Sequence, residues 1–323
     1  MSRTIHESEH PTTTRFESWK SSRRDALQAT ILGGLAAVLG SGASPARANL
    51  PAGAPKRGYA QGPFGLVHYY DNGAAGRPLL MFHQAPMSAR QFDRVYQPLA
   101  RRGVRAIGID MPGFGMSDPT DFVPRCEDWA RIAPAVMDHL GFEQADVLGH
   151  HTGAMVATEV GLQFPQRVRN LVINGPFPLT ESKRAKLLAG HKTSEIDFVY
   201  EPDGQHLAKA FMTRWRMYGP GADPKHITRY IVEKFQGFGP FWQGHYAAFQ
   251  YDHEPALRKL QVRTLLLTNT GDQIYPEAQI ARQIRPDFEY AELQGGGVDI
   301  VDQQPEEWAE AVAKFLGARS PAG

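Results

Sequence analysis

The sequence is poor in cysteine, because its 323 residues include only one, Cys126. A single cysteine excludes an intramolecular disulfide framework and a cysteine-based zinc site. Neither sign of charge is in excess, because 35 Lys and Arg nearly balance 34 Asp and Glu. We therefore expect no nucleic-acid partner. Walker loops, dinucleotide fingerprints and haem-attachment cysteine pairs are absent, and we therefore expect no cofactor and no metal. Of the 12 histidines, none follows His253.

Residues 1–48 have the features of an export signal rather than of a folded segment. The pair Arg23-Arg24 precedes an apolar run, Ala26–Leu39, and Ala46-Arg47-Ala48 forms a small-x-small cleavage site. The run is too short to span a membrane, which takes about 20 residues. The segment resembles a twin-arginine signal. This resemblance implies that the twin-arginine machinery of a bacterium exports the chain and that it is cleaved before Asn49. The mature protein would then be periplasmic or secreted, without a stable membrane anchor. The alternative is a disordered tail with a chance arginine pair.

Short apolar runs along the rest of the chain predict buried strands. Segments with helical spacing separate them, as at Cys126–Leu140 and Ala154–Phe164. Continuous apolar runs are typical of strands covered on both faces, and alternation with helices favours a mostly parallel sheet between two helical layers. The predicted fold class is therefore α/β. The predicted buried strands are Leu79–Phe82, Val104–Ile109, Ala145–Leu148, Leu171–Ile173 and Thr264–Leu267.

Residues 181–255 break this alternation, because they contain many aromatic side chains and no buried-strand run. We predict that they form a helical cap, inserted into a core of residues 58–180 and 256–318. Most of the aromatics are expected to pack the insertion's own small core, while a few line an apolar pocket beneath a lid. The pocket candidates are Trp215, Phe241, Trp242 and His245.

Four short motifs follow successive predicted strands. They are His83-Gln84-Ala85-Pro86, Asp110–Ser117, Gly149-His150-His151-Thr152-Gly153 and Gly271–Pro276. Together, and in this order, they resemble the α/β-hydrolase superfamily, in particular its cap-bearing branch of epoxide hydrolases and haloalkane dehalogenases. The resemblance extends over essentially the whole chain after the signal. It implies an eight-stranded, mostly parallel sheet with a helical cap.

The third motif corresponds to the nucleophile elbow of that family, a sharp strand-to-helix turn whose small flanking residues let the backbone approach closely. The resemblance implies that Asp272 is the catalytic acid. It also implies that the backbone amides of Ala85 and Thr152 stabilise an oxyanion, with Gln84 standing where glycine is usual.

Two positions depart from the family pattern. The centre of the elbow, where the family has Ser, Asp or Cys, is His151. The position of the family's catalytic histidine, ahead of Pro305-Glu306, is Val298, and no later histidine can replace it. The ordinary Ser-His-Asp relay therefore cannot be assembled. The imidazole of His151 could instead extend toward Asp272 and form a base whose tautomer the carboxylate fixes.

Other polar residues near the motifs are expected to support the site or to lie at the surface. His83 is expected to hydrogen-bond backbone, and His150 to support the turn from below. Ser88 is expected to cap a helix. Surface exposure is the first expectation for four side chains that could also reach the cleft: His245, His253, Asp299 and Asp302.

These residues predict a cofactor-independent hydrolase of a small apolar ester, amide or lactone, with His151 and Asp272 as its base. Three alternatives stay open. One is a lyase that uses the same base, and the second is cofactor-free oxygenation, which some relatives of this fold perform with a histidine base. The third is a noncatalytic binding protein of the bacterial envelope. The sequence does not fix the substrate or the oligomeric state.

Overall fold

The structure is a computed structural model that describes residues 54–318. The predicted export signal, residues 1–48, lies outside the described residues. Within the part of the chain that is described, no helix is both long enough and apolar enough to cross a membrane.

Within residues 54–318, eight strands form one sheet. They are β1 (Lys56–Gly62), β2 (Gly65–Asp71), β3 (Arg77–Phe82), β4 (Val104–Ile109), β5 (Ala145–His150), β6 (Val168–Asn174), β7 (Thr264–Asn269) and β8 (Glu289–Leu293). Their order across the sheet is β1-β2-β4-β3-β5-β6-β7-β8. Strand β2 pairs antiparallel with β1 and β4, and all other neighbours are parallel. The prediction of an eight-stranded, mostly parallel α/β sheet is confirmed.

The central strands are apolar on both faces, which explains their continuous hydrophobic runs. Along β3, Leu79 and Met81 belong to one buried cluster, while Leu80 and Phe82 belong to another. Side chains of a strand alternate between its two faces, so these clusters lie on opposite sides of the sheet. Helices cover both clusters and complete a layered α/β core.

Twelve α-helices lie within residues 54–318. They are α1 (Tyr96–Arg101), α2 (Cys126–Ala130), α3 (Ile132–Leu140), α4 (Thr152–Gln163), α5 (Glu181–His191), α6 (Gln205–Tyr218), α7 (Pro224–Gln236), α8 (Gln243–Gln250), α9 (His253–Lys259), α10 (Tyr275–Ile284), α11 (Ile300–Gln303) and α12 (Pro305–Leu316). A π-helical turn, Lys192–Ile196, follows α5, and short 3-10 turns occupy Ala89–Phe92 and Pro165–Arg167.

Helices α5 to α9 occupy the connection between β6 and β7, and we call residues 181–255 the insertion. The side chain of Asp223 caps the start of α7 directly before Pro224, a residue that suits the first turn of a helix. Helices α6 and α7 pack around Tyr218, Ile227 and Ile231, a small cluster separate from the two that cover the sheet. The insertion therefore has an apolar core of its own.

The carboxyl ends of β3, β5 and β7 meet at one edge of the sheet, because these strands are parallel to one another through β6. The loops that follow them carry the segment His83–Pro86, the residue His151 and the residue Asp272. In open α/β sheets, ligands bind outside this edge. The topology thus brings three of the four motifs to one place.

Candidate active site

A strained turn projects His151 from the end of β5. Its backbone has φ 50° and ψ −114°, and no other residue except glycine has a positive φ within residues 54–318. A Cβ atom at Gly149 would overlap the carbonyl oxygen of Gly153, and one at Gly153 would overlap the carbonyl oxygen of Phe82. The flanking glycines are therefore required for the sharp turn that holds His151 in place.

The imidazole of His151 is hydrogen-bonded to Asp272, which lies in the loop after β7. His151 Nε2 is 2.7 Å from Asp272 Oδ2, and the backbone N–H of Ile274 donates to Oδ1 at 3.2 Å. The side chain of Asp272 is 1% exposed, and that of His151 is 13% exposed. Burial acts to raise the pKa of Asp272, but the imidazole and the backbone donor outweigh it and lower the pKa overall. The carboxylate is therefore ionised at neutral pH.

The ionised carboxylate determines which ring nitrogen of His151 carries the proton. A carboxylate can only accept a hydrogen bond, so Nε2 is the protonated nitrogen of the neutral ring and Nδ1 keeps a free lone pair. Within residues 54–318, no group forms a hydrogen bond with Nδ1 of His151, and this nitrogen is accessible to solvent. Nδ1 is therefore the atom that can accept a proton from a molecule bound beside His151.

Gly175, the residue after β6, makes room for the imidazole. It has φ +73°, and a Cβ atom there would lie 2.7 Å from His151 Cδ2 and 3.1 Å from Nε2. Both values are shorter than an ordinary van der Waals contact, so a side chain at this position would displace the ring from Asp272. Gly175 was not among the predicted site residues, although a glycine directly after a buried strand is a signal of close approach.

Two backbone amides lie where the family resemblance placed an oxyanion site. Ala85 and Thr152 line the same cavity as His151, and Thr152 is the first residue of α4. In the part of the chain that is described, neither N–H group has a hydrogen-bond acceptor. Amide N–H groups at a helix N-terminus stabilise negative charge. The two donors can therefore serve an anionic oxygen in the cavity.

His83 holds the loop after β3 and is fully buried. Its Nε2 accepts from the backbone N–H of Met111 at 3.0 Å, so its Nδ1 carries the ring proton and donates to the carbonyl oxygen of Gln84 at 2.9 Å. Burial lowers the pKa of His83, and the ring is neutral. Both nitrogens are occupied by backbone, in agreement with the expected role.

His150 connects the turn to the loop that carries Gln84. The N–H of Gln84 donates to Gln91 Oε1 at 2.8 Å, which directs Gln91 Nε2 toward His150 Nδ1. His150 Nδ1 therefore accepts, and Nε2 carries the ring proton. Burial, together with the neighbouring His151, lowers the pKa of His150 well below its usual range, so this ring is neutral. His150 does not line the cavity.

Gln84 belongs to a buried polar network between the core and the insertion. Its Nε2 donates to Asp299 Oδ1 at 2.6 Å, and Arg214 Nε donates to Asp299 Oδ2 at 3.1 Å. The Arg214 guanidinium also lies 3.9 Å from the centre of the Tyr230 ring. The expectation that Asp299 and Asp302 are solvated loop charges is wrong. Both side chains are buried, and each has a counter-charge on the insertion. Asp299 pairs with Arg214 of α6, and Asp302 pairs with Arg229 of α7.

His253 is another correction, because it was expected at the surface and is fully buried. Its Nδ1 accepts from the N–H of Phe177 at 3.1 Å, and its Nε2 lies 3.0 Å from the hydroxyl of Thr158. Burial lowers the pKa of His253 to about 3, so the ring is neutral and structural. Ser88 does cap the turn Ala89–Phe92, by accepting from the N–H of Arg90.

A cavity of about 1070 Å³ lies between His151 and the insertion. Of the four pocket candidates, only His245 lines it, so the prediction is wrong for three aromatics. Trp215 stacks on Phe211 within the insertion, and Phe241 packs edge-to-face against neighbouring rings. Trp242 packs edge-to-face on Tyr246. These rings stabilise helix packing rather than facing the cavity.

The cavity wall is charged as well as apolar, which differs from the expected apolar pocket. Phenylalanine, leucine and methionine side chains line it together with acids and bases, most of which belong to the insertion. Val298, at the family's usual histidine position, also lines it and is 4% exposed. Within residues 54–318, no group of three or more His, Cys, Asp or Glu side chains is arranged to hold a metal ion. The charged lining residues are Lys183, Lys186, Lys209, Arg214, Lys234, Glu195, Asp197, Glu201 and Glu277.

Comparison with known proteins establishes the class. Residues 77–297 match the family model described as alpha/beta hydrolase fold, and the chain therefore belongs to that family. A non-heme haloperoxidase from Rhodococcus erythropolis is 28% identical over 229 residues, which cover 67% of this chain and 82% of that protein. A 2-hydroxy-6-oxononadienedioate/2-hydroxy-6-oxononatrienedioate hydrolase from Pseudomonas sp is 32% identical over 235 residues, or 66% of this chain and 77% of the relative.

A third relative matches over a shorter segment. The 2-hydroxymuconate semialdehyde hydrolase of Pseudomonas sp. (strain CF600) is 35% identical over 122 residues, which are 36% of this chain and 43% of the relative. Among solved structures, E-2-(acetamidomethylene)succinate hydrolase has a TM-score of 0.68 at 17% identity, covering 82% of this chain and 100% of that one. Epoxide hydrolase A from Mycobacterium thermoresistibile has a TM-score of 0.66 at 18% identity, covering 83% of this chain and 100% of that one. At these identities the structural likeness shows the fold alone.

Proposed function

We propose that this protein is a hydrolase in which His151, oriented by Asp272, acts as the general base in place of a Ser-His-Asp relay. The observation that carries the proposal is the 2.7 Å contact between His151 Nε2 and Asp272 Oδ2 at the elbow. The contact leaves Nδ1 free to accept a proton beside two unpaired backbone donors. Its relatives named above include hydrolases of the same fold.

The proposed reaction is attack of water on an ester, amide or lactone carbonyl. His151 Nδ1 takes a proton from water as the water oxygen bonds to the carbonyl carbon. The negative charge that develops on the carbonyl oxygen is stabilised by the N–H groups of Ala85 and Thr152. Asp272 stabilises the imidazolium that forms. Collapse of the tetrahedral intermediate then breaks the bond to the leaving group, which keeps the electron pair and takes up a proton, and His151 gives its proton back to solvent.

The cavity favours a substrate with a carboxylate over the fully apolar substrate that the sequence suggested. Lys183 and Lys209 are neutralised by Glu277 at 3.0 Å and by Glu201 at 2.5 Å. Lys186, on α5, also lines the cavity and has no ion-pair partner within residues 54–318. A free ammonium group of this kind attracts an anionic group of the substrate. One relative, the 2-hydroxy-6-oxononadienedioate/2-hydroxy-6-oxononatrienedioate hydrolase, is named for dicarboxylate substrates, which agrees with this expectation.

The experiment that tests the proposed function is acid release from matched neutral and anionic substrates. Wild-type protein is assayed in a pH-stat with methyl butyrate, monomethyl succinate and a γ-lactone, while dissolved oxygen is recorded. We expect acid release without oxygen uptake, with monomethyl succinate the best substrate. Oxygen uptake would support cofactor-free oxygenation instead, and saturable binding without turnover would support a binding protein.

We also propose that residues 1–48 direct export by the twin-arginine machinery and that the mature protein is periplasmic or secreted. The support is the order of Arg23-Arg24, the apolar run and the small-x-small site. A reporter fused to residues 1–48 is expected to cross the inner membrane only while Arg23 and Arg24 are intact. Export that persists after both are changed to Lys would contradict the assignment.

A further inference from the structure

A second histidine–carboxylate pair faces the same cavity as His151. His245 Nδ1 lies 3.0 Å from Glu195 Oε1 and 3.1 Å from Oε2. Both residues belong to the insertion and both line the cavity. Neither is needed for the reaction proposed above, since its base and its oxyanion donors come from the core.

Glu195 is held as a carboxylate by three basic side chains from different helices. Besides His245 of α8, its carboxylate lies 3.5 Å from His191 Nδ1 of α5 and 3.7 Å from Lys234 Nζ of α7. Burial acts to raise the pKa of Glu195, but these neighbours, His245 first, lower it to about 2. Because Glu195 is ionised and can only accept, His245 Nδ1 donates the hydrogen bond.

The start of α8, the helix that carries His245, lies beside the loop His83–Pro86. A Cβ atom at Gly244 would overlap the side chain of Ala85, so the start of α8 rests directly on that loop. The ring of His245 stacks on Phe249 with an interplanar angle of 12° and a centroid separation of 5.7 Å. No residue within 54–318 hydrogen-bonds His245 Nε2. This nitrogen is therefore free to contact a molecule bound in the cavity that His245 and Ala85 both line.

We propose that His245 is a second proton-transfer residue. In its imidazolium form, with a proton on each ring nitrogen, it is a general acid that protonates the leaving group while His151 acts as the base. Glu195 is its positioning residue, because its carboxylate accepts a hydrogen bond from Nδ1 and so directs Nε2 away from itself. The inference rests on the proposed hydrolase function and adds a second catalytic group to it. The insertion then contributes a catalytic side chain in addition to covering the site.

The proton balance of the reaction is complete with these two histidines and water. His151 Nδ1 takes one proton from water as the oxygen–carbon bond forms. When the bond from carbon to the leaving oxygen breaks, its electron pair stays on that oxygen, which takes the Nε2 proton of the His245 imidazolium. Ester and water give acid and alcohol. His151 then returns its proton to solvent, and His245 regains one from solvent.

Loss of a general acid lowers the rate most when the leaving group is a poor one. The dependence of the rate on the leaving group therefore distinguishes a catalytic role of His245 from a structural one. Two esters with the same acyl group serve as probes. Ethyl butyrate releases ethoxide, which needs a proton, whereas 4-nitrophenyl butyrate releases a stable phenolate. His245→Gln is expected to lower kcat about 10²-fold on the ethyl ester and less than about 3-fold on the nitrophenyl ester. His245→Asn and Glu195→Gln are expected to show the same preference.

The matched control is His226→Gln, which replaces a histidine of the insertion that lies outside the cavity lining. It is expected to leave both rates unchanged. Equal losses on the two esters in His245→Gln, with both reactions still dependent on His151, would overturn the role of His245 and leave the proposed function standing. Wild-type protein that hydrolyses neither these two esters nor monomethyl succinate would overturn both.

Discussion

Two histidine–carboxylate pairs face one cavity, and they are held in place by different means. His151 and Asp272 follow β5 and β7, two parallel strands of the core that lie on either side of β6. Backbone geometry fixes them through a positive φ and through glycines that carbonyl groups approach closely. His245 and Glu195 lie on helical segments of the insertion, where side-chain stacking and ion pairs fix them. The geometry of the core pair is therefore set by the conformation of the main chain, whereas the geometry of the insertion pair is set by packing between helices.

The contact between the two regions is itself ionic. Arg214 and Arg229 on the insertion pair with Asp299 and Asp302, which follow β8. All four side chains are largely buried, so each charge depends on its partner. The insertion is therefore positioned over the core by paired charges rather than by apolar surface alone.

A large effect is expected from Asp272→Asn, which tests whether the core pair sets the tautomer of His151. An amide can donate to Nε2 and so move the ring proton to Nδ1, the atom that has to accept a proton. We expect kcat on monomethyl succinate to fall by roughly 10²–10⁴-fold with KM nearly unchanged. Steady-state kinetics would contradict the assignment if kcat stayed within about twofold of wild type.

The next effect concerns the ionic contact between the regions. Arg214→Met leaves Asp299 buried without its main counter-charge, and we expect the free energy of unfolding to fall by about 3 kcal/mol. The control is Arg101→Met, which removes an exposed pair with Glu306 and should cost less than about 1 kcal/mol. Urea unfolding followed by circular dichroism measures both. Equal losses in the two variants would show that burial of the Arg214 pair has no special effect.

A smaller effect is expected from Gly175→Ala, which tests the backbone control of the core pair. The new Cβ meets the imidazole of His151 and also adopts φ +73°, so both activity and stability should fall. Gly73→Ala is the control, because Gly73 has φ +67° and nothing within 4 Å of the added atom. Each variant should lose about 1–2 kcal/mol of stability from the left-handed backbone. Only Gly175→Ala should also lower kcat, by about 10-fold.

The sheet could be predicted from the sequence because its signals are local. A continuous apolar run such as Leu79–Phe82 identifies a strand covered on both faces without knowledge of its neighbours. The proximity of His151 to Asp272 could also be anticipated, because parallel strands bring their carboxyl ends to one edge. Their catalytic roles stay a prediction, as do the boundaries of the insertion.

Other features could not be read from the sequence because they depend on contacts between distant segments. An aromatic residue such as Trp215 carries no local sign of whether it faces a cavity or another helix. Asp299 was expected in solvent because its partner, Arg214, is far away in the chain. The pairing of His245 with Glu195 spans 50 positions and arises only when α8 packs on the end of α5.

The central claim, that His151 is the base, is tested most directly by His151→Ala. The measurement is the initial rate of acid release from monomethyl succinate, with the melting temperature recorded to show that the variant folds. We expect the rate to fall by about 10³-fold or more, since no other side chain at the elbow can accept the proton from water. A folded His151→Ala variant that retains the wild-type rate would contradict the account and place the catalytic base elsewhere.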